Sequence, residues 1–238
     1  MFGDLGGKVA VVTGGTGGMG TGVVEVLAAA GARVVVPWHA APEVEPFREG
    51  MERAGLLDRV ELRQVDVTDP AAVDPLFQGV AKDSGRLDIL VNGVGAFTMA
   101  SLSDTTLESW ERMMTLNATT AMICSRAAVG VMGEAGGRIV NVSAMPALDR
   151  GAAGMSAYAA SKAAVLSLTG SLAKELRSRR ITVNAILPTT IDTPGNRAAM
   201  PDADRSRWLG PSQIGQVVRF LVSEEGGIVT GAAVTLGR

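Results

Sequence analysis

Val9-Ala10-Val11-Val12-Thr13-Gly14-Gly15-Thr16-Gly17-Gly18-Met19-Gly20 is the stretch from which the fold of this chain can be read. A continuous apolar run of this kind is the signature of a strand buried on both faces of a parallel sheet. A glycine-rich turn follows at once. Beyond it Val23, Val26, Leu27 and Ala30 fall at i, i+3, i+4 and i+7, the spacing of one apolar helix face. A turn of this composition also serves as a plain tight connection. Its place between strand and helix gives it weight, because glycines let the backbone approach a ligand closely. The helix start then offers free N–H groups and the positive end of a dipole to an anion.

The same alternation continues along the chain. Further strands are expected at 34–36, 60–65, 87–91, 138–142 and 181–187, with a short last one at 233–236. Helical stretches are expected at 42–54, 70–83, 105–132, 155–178 and 212–222. Strands alternating with helices predict an α/β fold, a doubly wound parallel sheet of about seven strands. No repeat, linker or shift of composition divides the chain. One domain over 1–238 is expected, with an insertion near 189–210 to cover a substrate.

Composition removes several classes of function. With 22 basic and 24 acidic residues, the formal net charge is -2. The charges are spread along the chain, so no nucleic-acid footprint is expected. No apolar run approaches the ~20 residues of a membrane span, and residues 1–8 do not read as a secretory leader. A cytoplasmic protein with no membrane partner is expected. Cys124 and His39 are the only cysteine and histidine. An intrachain disulfide is impossible and no metal site is expected. A Ser-His-Asp triad would have to use His39, and no GxSxG turn is present.

Tyr158 and Lys162 stand four apart on a predicted helix and so share a face. That suits proton transfer. A phenol ionises near pH ~10, so acting as a base near neutrality asks for about 4 kcal/mol, much of which a nearby ammonium can supply. Tyr158 is the only tyrosine in the chain.

Taken together, the motifs resemble the short-chain dehydrogenase/reductase family. The turn has the spacing TGxxxGxG. Asp66-Val67 follows the third strand, Asn92-Gly93-Val94-Gly95 follows the fourth, and Asn117 lies in the next helix. Tyr158-Ala159-Ala160-Ser161-Lys162 matches YxxxK, and Pro188 and Thr193 match the segment that brackets a nicotinamide. Gly93 and Val94 depart from the family's NNAG. The resemblance implies an NAD(P)-dependent oxidoreductase in which the cofactor carries the hydride and Tyr158 handles the proton. Lys162 would hold the nicotinamide ribose and Asn117 a water relay. The implied cofactor-binding set is Gly14, Thr16, Gly18, Met19, Gly20, Trp38, His39, Asp66, Val67, Asn92, Gly93, Tyr158, Lys162, Pro188, Ile191 and Thr193. Family members pair the helices near 105–132 and 155–178 between subunits, so a homodimer or homotetramer is implied.

The resemblance leaves cofactor and substrate open. An acid at the end of the second strand would select NAD, and a base there NADP. Trp38 and His39 occupy that place and Gly17 the other determinant, which tips the expectation narrowly to NADP. The family also places a serine at the end of the fifth strand. Counting from Arg138, that place falls on Ala144. Ser143, one residue earlier, faces the other way unless a bulge re-aims it. Dihydropteridine reductases also carry an alanine there, and residues 192–208 resemble their DTPxNRxxMPxADxxxW stretch. The reading favoured is reduction of a small carbonyl, imine or quinonoid compound. Its rivals are a 3-oxoacyl-carrier-protein reductase, weakly supported by Arg179-Arg180, and a non-enzymatic cofactor sensor.

Overall fold

A computed structural model describes residues 3–237. Seven parallel strands form one sheet in the order β3-β2-β1-β4-β5-β6-β7. They are β1 Val9–Thr13, β2 Arg33–Trp38, β3 Val60–Gln64, β4 Ile89–Asn92, β5 Gly137–Val142, β6 Ile181–Pro188 and β7 Ala233–Leu236. The central strands are buried throughout because helices cover both faces. One apolar layer packs β1, β2 and β5 against α1 (Gly18–Ala29) and α9 (Pro211–Val222), with Val23, Leu27, Ile214 and Val218 fully buried or nearly so. The other packs Val11, Val35, Leu90 and Ile139 against α3 (Pro70–Ser84) and α5 (Thr120–Val131), through Phe77, Val80, Ile123 and Ala128. Each buried aliphatic side chain contributes roughly 1.5–3 kcal/mol against exposure.

The remaining helices are α2 Val44–Arg53, α4 Leu107–Met113, α6 Met145–Leu148, α7 Ser156–Glu175 and α8 Pro194–Ala199. The expected 189–210 insertion holds α8, anchored where Ile191 bridges Leu209. Most boundaries fall within three residues of expectation, and two differences have a visible cause. The fourth strand begins at Ile89, because the Asp88 carboxylate accepts the Val9 N–H at 2.9 Å, a side-chain bond in place of a ladder bond. The stretch 105–132 is not one α-helix. A π-helical turn, Met114–Thr119, separates α4 from α5.

Strand order reverses between β1 and β4, and the crevice outside the carboxyl ends of such strands is where doubly wound folds bind ligands. A buried polar ladder holds this end of the sheet together. Asn92 Nδ2 donates to Asn141 Oδ1 at 2.8 Å and to Ser125 Oγ at 3.0 Å, and Asn141 Nδ2 donates to Thr169 Oγ1 at 2.9 Å. It joins β4, β5, α5 and α7 behind the crevice.

Candidate active site

At the switch point the backbone runs β1, turn, α1. Gly14 adopts φ 65°, and a side chain there would lie 2.8 Å from the Gly93 backbone. The turn is therefore pressed against the end of β4, and only glycine fits. The helix it feeds is left bare for an anion. Gly17 at its N-cap makes no side-chain capping bond, and no acidic residue stands in the first turn of α1.

A cleft of about 590 Å³ opens from this turn. Of the expected cofactor-binding residues, Gly14, Thr16, Trp38, His39, Asp66, Val67 and Gly93 line it. Gly18, Met19 and Gly20 open α1 at its edge. Thr193 arrives from the far side of the fold: its Cγ2 lies 2.8 Å from where a Gly18 side chain would start, and its Oγ1 accepts the Asn196 N–H to cap α8. Pro188 ends β6 and Ile191 anchors the insertion; neither lines the cleft. Asn92 is not among the residues lining the cleft. Its side chain belongs to the ladder behind the crevice, turned away from the cleft by Ser125 and Asn141.

The cleft also takes Glu43, Thr68, Arg112 and Leu116, which the motifs did not single out. Thr16 donates its hydroxyl to Glu43 Oε2 at 2.8 Å. Asp66 is held below the usual carboxylate range, first by the Thr68 hydroxyl that it accepts at 2.7 Å.

The chemical pair stands at the other end. Lys162 is buried, and its Nζ donates to the Val142 carbonyl at 2.9 Å. It lies 3.1 Å from the position a Gly95 side chain would take; Gly95 lines the cleft, whereas Lys162 and Tyr158 stand behind it and do not. Burial pulls its pKa down to about 8. Nζ sits 6.0 Å from the centre of the Tyr158 ring. Burial raises the Tyr158 pKa, so the expected depression by the ammonium is not what dominates here.

Asn117 is buried in the π-helical turn. Its Oδ1 accepts the Ala96 N–H and its Nδ2 donates to the Ala96 carbonyl, both at 3.0 Å, and Nδ2 also donates to Ser161 Oγ at 3.0 Å. The side chain thus clamps the segment after β4 onto α7, and positions Gly95 beside Lys162. Ser143 points away from the site: its hydroxyl donates to the Lys162 carbonyl at 2.8 Å. Ala144, in extended conformation, caps α6 and holds the place beyond the strand. Phe97 is the aromatic neighbour of Tyr158. The Phe97 ring meets Tyr158 edge-on at 5.0 Å, and Phe97, Leu148 and Met200 are all exposed.

An uncapped helix start, the cleft that opens from it and a Tyr158-Lys162 pair beside Gly95 are the arrangement of an oxidoreductase that works with a nicotinamide dinucleotide. The chain belongs to the short-chain dehydrogenase family, whose model matches residues 8–204. It is 33% identical over 238 residues to a 3-oxoacyl-[acyl-carrier-protein] reductase of Vibrio cholerae, covering 96% of this chain and 95% of that one. It is 35% identical over 208 residues to a galactitol 2-dehydrogenase of Agrobacterium fabrum, covering 87% and 78%. A Burkholderia cenocepacia short-chain dehydrogenase solved in complex with NADP superposes with a TM-score of 0.88 at 38% identity, over 98% of this chain and 97% of that one.

Proposed function

We propose that this enzyme reduces a small, apolar and already activated carbonyl, imine or quinonoid compound. The observation that carries the reading is that the serine at the end of β5 is turned into the α7 backbone and an alanine follows it. Ser143 is committed to the Lys162 carbonyl, and Ala144 stands at the strand end.

The residues present fit the dinucleotide. The bare start of α1 and the glycine turn would hold the pyrophosphate, the cleft from Trp38 to Thr68 the adenosine, and Lys162 the nicotinamide ribose. The bound cofactor supplies the hydride. Tyr158, whose pKa burial raises, gives its proton to the substrate oxygen or nitrogen, and Lys162 sets the charge beside it. Without a partnering hydroxyl, negative charge developing on a simple ketone is poorly stabilised, which typically costs about 10²–10³ in rate. A quinonoid ring spreads that charge over itself and asks for less. The exposed Phe97 ring against Tyr158 suits a flat or aliphatic substrate.

A second reading, 3-oxoacyl-carrier-protein reductase, is favoured by the similarity to enzymes of that name over almost the whole chain. The missing hydroxyl weighs against it. The test is oxidation of NADH and NADPH against a panel holding simple ketones, 3-oxoacyl thioesters and quinonoid pterins. The activated compounds are expected to turn over fastest; fastest turnover of the thioesters would establish the second reading instead. Tyr158→Phe should lower turnover by roughly 10²–10⁴ with cofactor affinity little changed. Near-normal turnover in that variant would remove Tyr158 as the proton donor. Cofactor binding without turnover of any compound would favour a sensor.

A further inference from the structure

We propose that Glu43 selects the dinucleotide, favouring the free ribose hydroxyls of NAD over the 2′-phosphate of NADP. The inference rests on the dinucleotide-dependent reading of the cleft. At the end of β2 the sequence offers Trp38 and His39 and no acid, which tips its reading toward NADP. The structure supplies an acid from elsewhere. Glu43 lies in the short turn Ala41–Glu43 that leads into α2, and that turn folds back so that the carboxylate lines the cleft.

Three observations fix what the carboxylate does there. The Thr16 hydroxyl, on the glycine-rich turn, holds Oε2 at 2.8 Å, so the charge stands beside the pyrophosphate-binding backbone. An ionised carboxylate offers about four acceptor sites, so the bond to Thr16 leaves capacity for a vicinal diol. The sheet order β3-β2-β1-β4 then places Glu43, which follows β2, on the adenosine side of the turn.

The charges facing this region decide the sign. Among the cleft-lining residues, Glu43 and Asp66 are acidic and His39 and Arg112 are basic. His39 Nδ1 lies 3.7 Å from Asp66 Oδ2, so any charge on it is answered by that carboxylate. Arg112 lines the same cleft but comes from α4, which follows β4. No lysine or arginine among the cleft-lining residues comes from the β2 side. A 2′-phosphate would set a dianion against Glu43 with no cation from that wall to answer it. Rejection by an unpaired like charge is a common route to specificity.

The test is a pair of fluorescence titrations, NADH and NADPH, on the whole protein and on Glu43→Gln. Glu43 is exposed, so the variant keeps the fold, and glutamine keeps an acceptor for Thr16 while losing the charge. The native protein should bind NADH at least about tenfold more tightly than NADPH, as expected for one uncompensated like charge. Glu43→Gln should bring the two affinities within about threefold, chiefly by tightening NADPH, and added salt should narrow the native gap by screening. Equal or tighter binding of NADPH by the native protein, or an unchanged ratio in Glu43→Gln, overturns the inference and leaves the oxidoreductase reading standing. Failure of both dinucleotides to bind overturns both.

Discussion

Lys162 illustrates how a single side chain is stressed for function. Its ammonium is buried with the Val142 carbonyl as its hydrogen-bond partner, and its pKa falls to about 8. The sign of the linkage follows. The folded pKa lies below the unfolded value of ~10.4, so between about pH 8 and 10.4 the unfolded chain binds more protons and stability rises with pH. Below pH 8 the full penalty, of order 3 kcal/mol, is present. Lys162→Met should therefore stabilise the protein near pH 7 by about 1–2 kcal/mol, after the lost hydrogen bond is allowed for, while abolishing activity. The gain should shrink toward pH 10, which thermal melts across that range will read. A gain that grows with pH would contradict the burial argument. Ser143 and Ala144 give the second prediction at this scale. Ser143→Ala should change turnover little, whereas Ala144→Ser should raise activity on simple ketones, by up to about tenfold. A large loss in Ser143→Ala would place that hydroxyl in the chemistry after all. Tyr158, Lys162 and the glycines were legible because their chemistry depends on fixed short spacings. Glu43 was not, since a turn's path decides where its carboxylate goes. The buried ladder that takes the Asn92 side chain was not legible either, since a motif gives a residue's position and not the direction of its side chain.

Among the elements, the π-helical turn between α4 and α5 does the positioning. It sets Asn117 against the Ala96 peptide and so brings the chain after β4 within reach of Lys162. That close approach requires glycine at 95, where an added methyl would lie 2.7 Å from Asn117 Oδ1. Gly95→Ala should weaken dinucleotide binding and turnover together, roughly tenfold or more, because the clash displaces the clamp that holds the cleft floor; overpacking of this kind typically costs 1–3 kcal/mol. Far-UV circular dichroism should remain native, and unaltered cofactor affinity would show that the clamp is dispensable. The strands and most helices could be read from hydrophobic period alone, since a sheet covered on both faces demands unbroken apolar runs. The π-helical turn could not. One extra residue in a helix barely disturbs its apolar pattern, and what stabilises it here is a bond to Ala96, 21 residues away.

For the molecule as a whole, assembly is the property expected from family resemblance. A groove of about 200 Å³ between α5 and α7 has Met122, Val129, Leu168, Leu172 and Leu176 along it, with Ser125, Arg126 and Glu175 beside them, and Met122 is exposed. We expect this face to pair with a second copy. Light scattering at micromolar concentration should report a dimer or tetramer, and Met122→Glu should shift it toward smaller species by setting a charge in an apolar contact. A monomeric native protein would refute the pairing. The sheet order carries a different consequence, for the time course of folding. Its two halves meet where Thr13 pairs with Asn92, after the chain has closed a loop of nearly 80 residues. Loop closure of that length must be met before the contact rewards it, and non-local parallel pairing is intrinsically slow. The half-sheet β3-β2-β1 can therefore collapse before any cleft exists. A dinucleotide present during refolding can only recognise a chain that has made the late connection, and so it marks the moment when two partial sheets become one.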